Sequence, residues 1–110
     1  MNLIDEIFKN EPDQWGLRGD PYLWHKLKRS LLPLENGLSQ IDFEQQLECS
    51  FNKIIDQEGK RTSEEVVWFK NFPESGMSGG YVSLIWWQET GLPLIKGKYK
   101  ELISRESKNL

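Results

Sequence analysis

The stretch Val66–Ile95, VVWFKNFPESGMSGGYVSLIWWQETGLPLI, most constrains what this chain can fold into. It holds three of the five tryptophans, a glycine- and serine-rich hinge and the longest apolar run. Val66–Phe72 is β-branched and aromatic, which favours a strand. Val66, Trp68 and Phe72 fall on one side of it, and Val67 and Phe69 on the other. Both sides are apolar, so the strand is expected at the centre of its sheet, with Pro73 ending it. Gly76, Gly79 and Gly80 then ask for unusual backbone angles or a close approach. Ser83 is placed to cap a helix over Leu84–Thr90 that carries Trp86 and Trp87. Gly91, Leu92 and Pro93 should close it in a Schellman-like end. A strand over Tyr81–Trp87 is the alternative; the serine cap and the Gly-Leu-Pro stop favour the helix.

The preceding residues read as helices. Leu3, Ile4, Ile7 and Phe8 share one helical face, with Asn2 as cap and Pro12 beyond the end. The segment QWGLRG turns, burying Trp15 and Leu17. Asp20-Pro21 then resembles a helix start, with aspartate as cap and proline in the first helical position. Leu23, Trp24, Leu27 and Leu31 form one face of that helix, and Pro33 ends it. Ser39 caps the longest helix, with Asp42 in a capping-box position and Leu38 and Phe43 as staple. Its stripe is Phe43, Leu47, Phe51, Ile54 and Ile55, and Gly59 is expected to supply a left-handed stop. Residues 58–65 look turn-like. Ile95, Tyr99, Leu102 and Ile103 mark a last amphipathic helix, weakened by Gly97, and the tail 104–110 should fray. The expected fold is α+β: a small antiparallel sheet packed with four to five helices in a single domain over 1–110.

Hydrophobic residues make up only 37%, but 13 aromatics offset the shortfall in what the chain can bury. The net charge of −3 argues against a general nucleic-acid binder. Residues 1–65 carry a net of −5 and residues 66–110 a net of +2, so the first part would attract a basic partner. One cysteine, Cys49, allows no intrachain disulfide. The start MNLIDEIFKNEPD lacks the pattern of a signal peptide, and no apolar run is long enough to span a bilayer. A cytoplasmic protein without a membrane partner is the expectation.

No catalytic or metal-binding constellation stands out. Gly76-Met77-Ser78-Gly79-Gly80 matches G-x-S-x-G, the pattern of a nucleophile elbow. That mechanism needs a histidine backed by a carboxylate. The only histidine, His25, precedes the serine and lies off the apolar stripe of its helix. No lysine follows at the Walker position, although the glycine loop could hold an anion or act as a lid over a ligand. Arg18-Gly19-Asp20 is an integrin tripeptide by letter only. Cys49 with His25 is too small a set for a structural zinc site, and no cofactor is implied. Asp42, Glu44 and Glu48 lie away from the stripe of their helix, as solvated surface or as a face for a basic partner. Trp86 and Trp87 lie about 100° apart on a helix; whichever is exposed is the best hot-spot residue.

The segments Trp15–Trp24 (WGLRGDPYLW) and Gly76–Gly79 with Trp86–Leu94 (WWQETGLPL) resemble those of small bacterial proteins associated with the immunity partners of polymorphic and contact-dependent toxins. The resemblance implies a non-catalytic inhibitor that binds a cognate toxin domain, often a basic nuclease, and blocks its active site. Asp42, Glu44, Glu48, Glu74, Met77, Ser78 and Trp86 are the expected partner-binding residues. A small hydrolase built on the Ser78 loop, or a ligand-binding or scaffold domain, is the alternative.

Overall fold

The computed structural model describes residues 2–34, 37–72, 76 and 78–108, with side chains as far as Arg105. Helix α1 (Leu3–Lys9) starts where the Asn2 side chain accepts from the Ile4 amide at 2.7 Å. Its Leu3, Ile4, Ile7 and Phe8 are all buried, as their spacing requires. Helix α2 (Asp20–Leu31) buries Leu23, Trp24, Leu27 and Leu31 completely. The buried Trp24 indole donates to the Phe8 carbonyl at 3.1 Å, joining α2 to the end of α1. Helix α3 (Gln40–Glu58) begins at Ser39, whose hydroxyl accepts from the Asp42 amide. Its five-residue apolar stripe is buried from Phe43 to Ile55.

Three short antiparallel strands follow in the order β1-β2-β3: β1 (Gly59–Arg61), β2 (Val66–Phe69) and β3 (Gly80–Ser83). The central place expected for the Val66 strand is the one it takes. Val67, Phe69 and Val82 point into the core, while Trp68 and Tyr81 face outward. The turn-like reading of residues 58–65 missed β1, and Gly59 is not a left-handed stop. It is extended, at φ −94° and ψ 156°, and opens the strand directly off α3. Glycine stands there because a Cβ would lie 2.4 Å from Val67 Cγ1 and 2.8 Å from the Ile55 carbonyl oxygen.

The last helical run also departs from expectation. Ser83 does cap it, accepting from the Trp86 amide at 3.2 Å. However, α4 (Leu84–Trp86), a π-helical turn (Trp87–Gly91) and α5 (Leu92–Lys108) run on without a break. Gly91 is not left-handed, so the Schellman end does not form. Proline normally breaks a helix because it lacks an N–H and its ring crowds the carbonyl four residues back. Here the wider turn, with the Leu92 amide bonded to the Trp87 carbonyl, lies where that carbonyl would be crowded, and Pro93 passes through. Continuation carries Leu92, Ile95 and Tyr99 into the core, where Tyr99 stacks on Phe43 at 3.9 Å.

Candidate partner-binding surface

The surface is organised by one buried charge. Asp20 does not cap α2 through its side chain; Gly19 occupies the cap position and Asp20 turns inward, fully buried. Its Oδ2 accepts from the Leu17 amide at 2.6 Å. Its Oδ1 accepts from the Ser83 amide at 3.0 Å and the Trp87 indole at 3.1 Å. Burial pushes the carboxyl above its ordinary value of 3.8, while the Leu17 and Ser83 amides, the Trp87 indole and the Gly16 amide pull the other way. The carboxylate thereby joins the 16–19 segment, the end of β3 and the π-helical turn.

Two glycines let the segment come so close. A Cβ on Gly19 would lie 2.4 Å from the Tyr81 carbonyl oxygen, which accepts the Gly19 amide at 2.8 Å. A Cβ on Gly16 would lie 2.6 Å from Trp86 Cβ. Leu17 and Arg18 are thus held beside β3, exposed. On the outer sheet face, Lys60, Trp68 and Tyr81 stand directly opposite one another across the three strands. The Trp68 and Tyr81 rings meet at 4.8 Å. Leu17 is 37% exposed and Tyr81 50%, and both line one groove with Trp68. Ile41 is also exposed, but beside Asp42 and Gln45, which face solvent too.

Of the expected partner-binding residues, Asp42 is exposed in the first turn of α3. Glu44 and Glu48 turn towards α5: Lys96 Nζ lies 2.6 Å from Glu48 and 4.0 Å from Glu44. Glu44 also accepts from Gln40 Nε2 at 2.8 Å. Ser78 is exposed just before β3. Trp87 is wholly buried, whereas Trp86 is half-buried, 5.2 Å from Trp15 and edge-on to Trp87. Glu74 and Met77 lie outside the described residues. Glu44 and Glu48 therefore meet Lys96, Asp42 stands apart in the first turn of α3, and Trp86 sits with Trp15. No hydrogen bond or ion pair among the described residues joins the two groups.

His25 pairs with Glu11 at 3.0 Å on the exposed side of α2, and no hydrogen bond links it to Ser78 among the described residues. Cys49 is exposed, and no cluster of three or more metal-ligating side chains occurs among the described residues. No described helix is long and apolar enough to cross a membrane. The expectation that the QWGLRG turn buries Leu17 is not met: Leu17 is 37% exposed, because Asp20 and Gly19 draw the backbone of the turn, not the Leu17 side chain, onto β3. Sequence reasoning also overlooked Tyr81 as surface; the alternation Tyr81-out, Val82-in was the signal that could have found it, had β3 been read as a strand. Compared with protein-family models, curated proteins and solved structures, the chain matches none.

Proposed function

We propose that this chain is a non-catalytic protein-binding domain, an immunity-type inhibitor that docks a cognate toxin domain and occludes it. The observation that carries the reading is the outer face where exposed Leu17 and Tyr81 flank half-buried Trp68, tied to the core by the Asp20 contacts. Aromatic and arginine side chains dominate binding energy at interfaces, and preorganisation lowers the entropy cost of docking. The two segments that resemble immunity proteins are the ones that supply Leu17, Arg18 and the Trp86–Trp87 turn. The pairing of Glu44 and Glu48 with Lys96 supports an anchor on the sheet rather than on α3. Such an inhibitor would act in the cytoplasm of the producing cell.

The test is co-expression with the toxic domain encoded by the adjacent reading frame. The wild-type chain should restore growth and co-purify with the toxin. Leu17→Asp with Tyr81→Asp should lose both while keeping the wild-type circular dichroism spectrum. Continued growth arrest with the wild-type chain, or full protection by the double variant, would contradict the proposal.

A further inference from the structure

We propose that the outer sheet face takes an acidic segment of the partner that carries an apolar or aromatic anchor side chain. This rests on the reading of that face as the docking surface and goes further by naming the chemistry of what docks. A groove of about 360 Å³ is lined by Leu17, Arg18, Trp68, Gly79, Gly80 and Tyr81. Its volume lies near the lower end of the range for ligand pockets, suited to one large side chain. Gly79 keeps the floor close to Trp68: a Cβ there would lie 2.6 Å from the indole ring.

Among the described residues the charge at this groove has one sign: no carboxylate lines it, Arg18 stands in its wall, and Lys60 extends the Trp68–Tyr81 row across the sheet. Arg18 and Lys60 are exposed and make no ion pair among the described residues. Arg18 in the wall of an apolar slot, with Lys60 beyond its Trp68 side, fits an apolar side chain flanked by aspartate or glutamate. The Tyr81 carbonyl on the β3 edge is already bonded to Gly19, so the segment lies across the face and is read through side chains. Single-stranded nucleic acid would also meet aromatics and cations here. It needs a track of phosphate-neutralising charge, which two cations on a chain of net charge −3 do not supply.

A random peptide library displayed on phage is panned against the full chain, with Tyr81→Ala protein as counter-selection. Enriched peptides should share an aromatic or leucine residue flanked by acidic ones. Their affinity should fall at least about tenfold on Tyr81→Ala, and comparably on Arg18→Glu with Lys60→Glu. Half-exposed Tyr81 is chosen over Trp68 so that folding is preserved, with urea midpoints as the check. No enrichment, a basic consensus, or binding indifferent to these variants overturns the proposal. So does salt-sensitive binding of oligothymidylate that competes at Tyr81. If panning succeeds but no toxin is neutralised, the immunity reading falls and the acidic-segment site stands. The reverse outcome removes this inference alone.

Discussion

The Asp20 carboxylate is the residue on which the exposed face depends, because it is the acceptor for three N–H groups from three separate segments. Asp20→Ala leaves the Leu17 and Ser83 amides and the Trp87 indole without it. At about 1–3 kcal/mol for each unsatisfied buried donor, the variant should lose about 3 kcal/mol or more in urea unfolding. Asp20→Asn should lose less, since its carbonyl still serves Ser83 and Trp87 while its amide N–H opposes that of Leu17. Because burial raises the folded-state pKa above 3.8, the folded protein holds this proton to higher pH than the unfolded chain does. The contribution of Asp20 to stability is therefore greatest below 3.8, declines as pH rises through the raised value, and is level beyond it. Urea midpoints over a pH series should show that decline in the wild type relative to Asp20→Asn. The sequence disclosed Asp20-Pro21 as a helix start, and the helix does begin there, one residue early, with Gly19 rather than Asp20 in the cap position. It did not disclose the inward turn, because the Ser83 and Trp87 donors lie 63 and 67 positions away.

Among the elements, those governed by local chemistry were legible. Asn2 and Ser39 cap the helices they precede, and the stripes of α1, α2 and α3 are buried as their periodicity demands. Misreadings arose where a residue with a strong local habit answers to a distant neighbour. Gly59 looked like a helix stop but makes room for Val67, and Gly91-Leu92-Pro93 looked like an end but forms a π-helical turn under the Trp86 and Trp87 rings. The glycines of the last helical run should therefore respond oppositely to alanine. At Gly91 a Cβ would lie 2.6 Å from Trp87 Cε3, and Gly91→Ala should cost about 1–3 kcal/mol. At Gly97 nothing lies within 4 Å, and Gly97→Ala should gain about 0.5–1 kcal/mol. Thermal melts of the two variants against the wild type check both signs.

For the molecule as a whole, the expected class holds: a three-stranded antiparallel sheet with helices packed on its inner side. The candidate surface was less legible, since an outward tryptophan and tyrosine become a patch only once strand register aligns them. If docking uses the sheet, Glu44→Lys with Glu48→Lys should leave partner affinity within about twofold. The same change should cost up to about 1 kcal/mol of stability, eased by salt, as three cations crowd where Lys96 stood between two acids. Calorimetric titration and urea melts separate the two effects. The aspartate clasp between α2 and the π-helical turn also bears on how the chain is born. During synthesis α2 leaves the ribosome long before residue 87, so its carboxylate waits in water until the partners that justify its burial emerge. Nascent chains arrested upstream of Trp87 should stay sensitive to protease at Gly16–Gly19, and that sensitivity should vanish within the few codons that release the indole.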